Sequence, residues 1–289
     1  MLIDIHDVGH GACAVVTSST GRKIMIDAGY CTAPFWFPSV YYYGQRMEML
    51  LAQNLDTDHV NNVEGVLRNL QIQSFRTNPS ITAEAFLRMK AKHGLNDSLR
   101  QIHWLLERYS GNFSPLPDLD EVGLLAFFHR YGVFTETNDL SMPLFVSAHG
   151  FTILFSGDLE KAGWEAFLLN PYFTAMLGRV RILVASHHGR ENGCCDAVFE
   201  HCKPDVVIIS DYEHRHVSQA TTGWYARRAW GIPDYTVRQS GFLVPQRYVL
   251  TTRSDKNLQI QVRSDGSYNI WPYPHVDPVI YSPLAMIKG

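Results

Sequence analysis

The segment Asn54-Leu-Asp-Thr-Asp-His59 gathers side chains of the kinds that bind metal ions. Asp56, Asp58 and His59 offer carboxylates and an imidazole, a mixture that suits zinc, manganese or a similar divalent ion better than calcium. The first position, an asparagine, is a far weaker ligand. An apolar run over residues 47–52 precedes the segment, so these side chains come where a strand is predicted to end. The segment therefore predicts a metal site at a strand end.

Three later elements carry similar ligands, and each follows a predicted strand. They are Asp158, the pair His187 and His188, and His216 with the nearby His214. Strand ends on one edge of a sheet converge in space, so separate short motifs can build one cluster. Several carboxylates with several imidazoles are the ligand inventory of a two-metal hydrolase.

The elements that must position these side chains are predicted strands and helices in alternation. Short β-rich runs at 2–5, 12–17 and 23–26 predict that the chain starts with sheet. Apolar residues at helical spacing over 60–70 place His59 on a strand-to-helix turn. Further strands are predicted at 143–148, 151–155, 181–185 and 206–209. Strand, site residue and helix in repetition are typical of an α/β catalytic sheet.

A different pattern occupies residues 80–134, where helical stretches are predicted at 83–93, 99–109 and 119–131. We interpret it as a helical insertion within a single domain of residues 1–289. Residues 251–289 are predicted to form a C-terminal hairpin, with its turn at Asp265-Gly266, and a Pro-rich tail.

Composition sets broad limits on the function. With 46% hydrophobic residues the chain can build a large core, and its formal charge of -3 neither supports nor excludes a nucleic-acid substrate. The start Met-Leu-Ile-Asp lacks the basic and apolar segments of a signal peptide, and no apolar run reaches membrane-spanning length. Five cysteines without a CxxC spacing indicate reduced thiols. We therefore expect a cytoplasmic protein with no membrane segment.

Six motifs follow one another along the chain in a set order. They are Asp7-Val-Gly-His-Gly11, Ile26-Asp-Ala-Gly29, Asp56-Thr-Asp-His59, Ser156-Gly-Asp158, Ser186-His-His-Gly189 and finally His216. In this order the sequence resembles the metallo-β-lactamase fold, and within it the ComEC-like branch, the hydrolase domain of DNA-uptake channels and its free-standing relatives. The resemblance spans most of residues 1–250 outside the insertion. It implies an α/β protein, an αββα sandwich with a metal pair at the sheet edge.

The resemblance also implies a ligand set for one or two divalent ions, zinc or manganese. Asp58 and His59 would hold one ion, and Asp56 would hold the other together with His216. Asp158 would bridge the two ions.

Other matching residues receive catalytic or supporting roles. His187 is assigned to the first ion and His188 to the phosphate or the leaving group, with the reverse assignment as the alternative. The candidate catalytic residues are His188, Asp58 and Asn54, and the candidate supporting residues are Asp7, His10 and His214. Asp27 is interpreted as a structural turn residue. Asn54 stands where the family has histidine, which predicts a weakened metal site.

Three functions remain open. The resemblance implies attack by a metal-bound hydroxide on a phosphodiester, with DNA or RNA as the first substrate hypothesis. A small phosphodiester, such as a cyclic nucleotide or a choline phosphate, is the second. The third is a degenerate, weakly active member that binds a partner protein through the helical insertion. Asn54 favours the third function, whereas retention of the other ligands favours the first two.

Basic and aromatic side chains bear on the nucleic-acid hypothesis. The aromatic runs at 35–37 and 41–43 could stack nucleobases, but packing is the favoured interpretation. A basic helical face could bind the phosphate backbone of a nucleic acid, but a face that is simply exposed to solvent is the favoured interpretation. Its residues are Arg88, Lys90, Lys92, Arg100 and Arg108.

Overall fold

The structure, a computed structural model, describes residues 1–32, 35–92, 94–109, 116–212, 220–234 and 245–274. The strands are β1 (Leu2–Ile5), β2 (Ala14–Thr17), β3 (Lys23–Ile26), β4 (Cys31–Thr32), β5 (Phe35–Trp36), β6 (Arg46–Met47), β7 (Met49–Leu51), β8 (Gln71–Ile72), β9 (Phe75–Arg76), β10 (Gly123–Ala126), β11 (Leu144–Ala148), β12 (Phe151–Phe155), β13 (Ile182–Val184), β14 (Val206–Ile209), β15 (Ile232–Pro233), β16 (Gln246–Arg247), β17 (Val249–Thr251), β18 (Asn257–Val262) and β19 (Tyr268–Tyr273).

The α-helices alternate with these strands and are supplemented by short 3₁₀ turns. They are α1 (Pro38–Tyr41), α2 (Thr57–Val60), α3 (Val63–Asn69), α4 (Ala83–Lys90), α5 (Asp97–Tyr109), α6 (Lys161–Leu168), α7 (Pro171–Leu177), α8 (Thr222–Ala226) and α9 (Thr252–Asp255). The 3₁₀ turns are Ser186–Gly189, Glu191–Gly193 and Asp196–Glu200.

Two large sheets form the centre of the protein. One has the strand order β19-β18-β1-β2-β3-β7-β9, and the other has the order β10-β11-β12-β13-β14-β17. In each sheet antiparallel strands give way to parallel ones, at the β3–β7 pair in the first and at the β12–β13 pair in the second. The parallel parts align the carboxyl ends of β3 and β7, and likewise those of β12, β13 and β14.

Period-two alternation along the strands separates three apolar cores. Ile24 and Ile26 of β3 pack between the sheets, together with Ile153 of β12. Met25 faces the other way, into a core shared with α3, α4 and α5. On the outer side of the second sheet, Leu154 packs with residues of α6 and α7. The layers are therefore helix, sheet, sheet and helix, and the predicted αββα sandwich is confirmed.

The predicted insertion is only partly helical. Helices α4 and α5 form close to their predicted positions, and α5 buries Leu99, Ile102, Leu105 and Leu106 at helical spacing. The predicted helix over 119–131 is wrong, because residues 123–126 form β10, which pairs with β11 as the edge strand of the second sheet. Partly buried and exposed residues alternate along β10, as expected when one strand face packs on a core. The bounds 80–134 stay a prediction.

The predicted C-terminal hairpin forms, with β18 and β19 antiparallel and β18 also paired to β1. The tail beyond residue 274 lies outside the described residues. Within the described part of the chain, no helix is long and apolar enough to cross a membrane. The predicted cytoplasmic location stays a prediction.

Candidate metal centre

Asp58 and His59 lie in the first turn of α2, directly after the loop that leaves β7. Their backbone carbonyls are tied to the neighbouring loops, since the His59 carbonyl accepts from the amide of Ala28 at 2.7 Å and that of Asp58 from Ala12 at 3.4 Å. The backbones approach so closely that a Cβ at Gly29 would lie 2.8 Å from the Asp58 carbonyl oxygen. A glycine is required there, and the tight contact fixes the start of α2.

Four side chains from three strand ends converge on one point: Asp58, His59, Asp158 and His188. One ligand atom from each lies within 4.8 Å of all the others. The Nε2 atom of His59 lies 2.9 Å from Oδ1 of Asp158, and the Nε2 atom of His188 lies 3.2 Å from Oδ2 of Asp58. All except Asp58 are buried. The convergence of strand ends predicted from the sequence is therefore present for these residues.

Both histidines in the cluster are held by their other ring nitrogen. Nδ1 of His59 lies 2.7 Å from Oδ2 of Asp27, and Nδ1 of His188 lies 2.9 Å from the carbonyl oxygen of Ser210. These acceptors place the proton on Nδ1 and leave Nε2 of each ring with its lone pair directed at the cluster. Asp27 thus does more than shape a turn, because it orients His59.

The residues present fit a divalent metal ion. The Nε2 atoms of His59 and His188 are buried and make no well-aligned hydrogen bond, although carboxylate oxygens lie close to both. Two imidazoles and two carboxylates are a donor set for zinc or manganese, and four ligands can satisfy tetrahedral zinc. Both Nε2 atoms face carboxylates without a well-aligned hydrogen bond. This arrangement is expected if all four groups surround a common cation.

The electrostatics of the cluster agree with this arrangement. Burial favours neutral imidazole in His59, but the carboxylates of Asp158 and Asp27 outweigh it and raise its pKa well above 6.5. The pKa of His188 is raised as well, since Asp158 and Asp58 overcome its burial. Burial would raise the pKa of Asp158, yet His59 and His188 lower it to about 2. Protons on the imidazoles therefore compete with a cation for the same carboxylates.

The turn that carries His188 has an uncommon backbone. His187 and His188 have φ values of 49° and 53°, in the left-handed region, and Gly189 follows at 71°. Non-glycine residues rarely adopt this region, and strain of this kind clusters at functional sites. The turn is held by Ser186, whose hydroxyl donates to the Leu159 carbonyl at 2.5 Å. The strained turn directs His188, rather than His187, into the cluster, which corresponds to the alternative assignment of the pair.

Asn54 and Asp56 do not join the cluster. The Asp56 carboxylate is bonded to the ammonium of Lys90 and accepts from the Thr137 hydroxyl at 2.9 and 3.0 Å. The Asn54 amide nitrogen donates to Ser141 at 3.2 Å, and its oxygen accepts from the Asp56 amide at 2.7 Å. Asn54 therefore stabilises the loop through hydrogen bonds. The partners of Asp56 are the Lys90 ammonium and the Thr137 hydroxyl, not a metal ligand set.

His187 and His10 flank the cluster. Nε2 of His187 lies 4.0 Å from Oδ2 of Asp158, and Nε2 of His10 lies 3.5 Å from Oδ2 of Asp58. Both face the guanidinium of Arg190, at 3.2 and 3.0 Å. Burial and the neighbouring His188 lower the pKa of His10 to about 4, and burial lowers that of His187 against the attraction of Asp158. Both rings are therefore neutral near pH 7.

The remaining predicted site residues lie elsewhere. Asp7 is buried outside the cluster, where its carboxylate accepts from the amide of Gly9 at 3.3 Å and lies 3.7 Å from the ammonium of Lys256. His214 and His216 lie outside the described residues, so their predicted roles stay predictions.

Three residues with evident roles were not assigned to the site from the sequence. Asp27 had a usable signal, because it follows β3 as Asp158 follows β12. Arg190 directly follows the motif at 186–189, but a single arginine in a turn has no distinctive pattern. The sequence indicates a basic helical face for Lys90, and its contact with Asp56 spans 34 positions in sequence. Pairings of that kind depend on tertiary structure.

No family model and no curated protein matches the sequence. Among solved structures, a diphosphatase of the PhnP family is similar at 10% identity with a TM-score of 0.43, over 90% of this chain and 98% of that one. A protein from Parabacteroides distasonis, provisionally described as a metal-dependent hydrolase, is similar at 10% identity with a TM-score of 0.40, over 75% of this chain and 86% of that one. Likeness at this level leaves the function to be argued from the site.

Proposed function

We propose that this chain is a metal-dependent hydrolase of phosphodiesters. The observation that carries the proposal is the cluster of Asp58, His59, Asp158 and His188, whose ligand atoms lie within 4.8 Å of one another. The resemblance of the sequence motifs to the ComEC-like branch of the metallo-β-lactamase fold supports the reaction class. The cluster retains the carboxylate and imidazole donors that such a reaction needs.

Each residue of the cluster has a definable task. When bound, a divalent ion lowers the pKa of a coordinated water toward about 7 and stabilises charge on a phosphate. Asp58 and Asp158 supply the negative charge that holds such an ion. Asp27 keeps the proton of His59 on Nδ1, so that Nε2 stays a donor of its lone pair. Because the side chain of Asp58 is 26% exposed and that of Asp158 is 4% exposed, substrate approaches from the Asp58 side.

Three of the five basic residues of the helical face already pair with carboxylates, which favours a small phosphodiester over DNA or RNA. Arg88 pairs with Glu84 and Arg100 with Asp97, each within its own helix. Lys90 pairs with Asp56. Binding of a nucleic-acid backbone draws on several uncompensated cations, and paired cations contribute little to it. A small phosphodiester needs only the metal centre and its immediate rim.

Hydrolysis assays test the proposal. Protein loaded with zinc or manganese is expected to hydrolyse bis(p-nitrophenyl) phosphate or a cyclic nucleotide faster than single-stranded DNA or RNA. Asp158→Ala is expected to abolish this activity, whereas Asp97→Ala, which removes an exposed carboxylate of α5, leaves it unchanged. Activity that survives Asp158→Ala, or protein inactive on every phosphodiester with either metal, would contradict the proposal.

Binding of a partner protein through residues 80–134 is a further proposal that the sequence raised. Leu87 of α4 and Trp104 of α5 are exposed, at 42% and 47%. The intact cluster gives no reason to expect that such binding replaces catalysis.

A further inference from the structure

Arg190 is half-buried and contacts two imidazoles that flank the metal centre. One terminal nitrogen donates to Nε2 of His187 at 3.2 Å, and the other donates to Nε2 of His10 at 3.0 Å. His187 lies beside Asp158, at 4.0 Å, and His10 lies beside Asp58, at 3.5 Å. The guanidinium therefore reaches toward the two carboxylates of the cluster from one side, through an imidazole in each case.

The charge of this guanidinium is not balanced locally. A guanidinium only donates hydrogen bonds, so the imidazole nitrogens that face it must act as acceptors, which requires neutral rings. Within the described ranges, no carboxylate oxygen lies within 4.0 Å of Arg190, whereas Arg181 and Arg253 each pair with an aspartate at 2.6 Å. Among the described residues, the side-chain partners of the guanidinium are these two imidazoles, and neither Asp58, Asp158 nor Asp27 pairs with it, so an anion is the partner it lacks.

We propose that Arg190 is the residue that binds the non-bridging phosphate oxygens of the substrate, a specificity determinant for phosphate-bearing compounds. This inference rests on the proposed function. The planar fork of a guanidinium matches the paired oxygens of a phosphate. Each terminal nitrogen of the guanidinium carries a second N–H, and an incoming phosphate accepts from these while the bonds to His187 and His10 remain. The imidazoles then keep the fork aligned with the ion-binding carboxylates.

Phosphate binding separates this role from a structural one. Calorimetry would measure the affinity of inorganic phosphate for zinc-loaded and for metal-free protein, in Arg190→Gln, Arg190→Lys and the control Arg179→Gln, which removes an exposed arginine. A charge-assisted hydrogen bond corresponds to a loss of about tenfold or more in Arg190→Gln. Arg190→Lys is expected to retain part of the affinity, because it keeps the charge without the fork, and Arg179→Gln is expected to bind as the parent chain does.

Kinetic and metal measurements complete the test. Arg190→Gln is expected to raise the KM for a phosphodiester by about the same factor as it weakens phosphate binding, with unchanged zinc content. Phosphate affinity equal to that of Arg179→Gln would overturn the inference. Loss of zinc or unfolding of both Arg190 variants would overturn it too, since Arg190 would then only hold His187 and His10 in place.

The outcomes also distinguish this inference from the proposed function. If the parent chain binds phosphate through Arg190 but hydrolyses no phosphodiester, the proposed function fails and the anion site stands. If the chain hydrolyses phosphodiesters and Arg190→Gln changes neither phosphate affinity nor KM, the inference fails and the proposed function stands.

Discussion

The two halves of the segment Asn54–His59 have different partners, although they are contiguous in sequence. In the first half, Asp56 is bonded to Lys90 of α4 and to Thr137. In the second half, Asp58 and His59 face carboxylates and imidazoles that come from other strand ends, and Asp27 orients His59. The first half connects the loop to the 80–134 region, and the second half is part of the metal centre.

Among the described residues, which do not include His214 and His216, this difference gathers metal donors in the second half of the segment alone. The resemblance assigns Asp56 to a second ion, but the Lys90 ammonium already supplies positive charge to the Asp56 carboxylate. The Asn54 amide is engaged with Ser141 and with the backbone of its own loop. We therefore expect one tightly held ion per chain.

The largest expected effect separates the two halves directly. Asp58→Asn removes a charged ligand from the cluster, and its loss of zinc affinity is expected to exceed the roughly 10- to 100-fold that follows loss of a supporting residue. Asp56→Asn, the same change two positions earlier, is expected to keep the ion, because Asp56 is bonded to Lys90 and Thr137 instead. Mass spectrometry of metal content, together with competition titration, measures both variants.

Two outcomes would refute the one-ion interpretation. Two ions at full occupancy in the parent chain would show that the first half also binds metal. Loss of the ion in Asp56→Asn would show that Lys90 does not replace an ion at that carboxylate.

The sequence predicted the features that depend on local pattern. The strand that ends at Leu51, the turn to α2 and the convergence of Asp58, His59 and Asp158 all followed from strand-end logic. The layered fold followed from alternation and from the order of motifs. The error at 119–131 arose because apolar residues there also satisfy helical spacing, and only the pairing of β10 with β11 decides between the two.

The partners within the site could not be predicted in the same way. Whether His187 or His188 joins the cluster depends on two left-handed backbone conformations in succession, which sequence spacing does not encode. Likewise, the contact of Lys90 with Asp56 depends on how α4 packs beside α2. The sequence thus predicted which residue types could bind a metal ion. Which of these residues reach the cluster depends on tertiary contacts.

A smaller effect is expected within the second half, at the residue that orients His59. Asp27→Asn keeps the shape of the side chain but removes the charge that holds the proton of His59 on Nδ1 at 2.7 Å. Loss of such a partner costs about 10- to 100-fold in metal affinity. Asp7→Asn is the matched control, since Asp7 is also a buried carboxylate but lies outside the cluster. Equal zinc affinities in the two variants would show that Asp27 has no role in orienting the ligand.

The smallest effect is expected in the first half, where Lys90→Met should reduce stability without releasing the ion. The side chains of Lys90 and Asp56 are 11% and 32% exposed, so their ion pair is partly screened by solvent and its loss is expected to cost about 1–2 kcal/mol. Urea unfolding of zinc-loaded protein measures this, with Lys92→Met, a change at an exposed position, as the control. Zinc affinity should change less than about twofold, because Asp56 is not a ligand. A tenfold change in affinity with unchanged stability would instead place Lys90 and Asp56 in the metal centre, and the two halves of the segment would then act as one site.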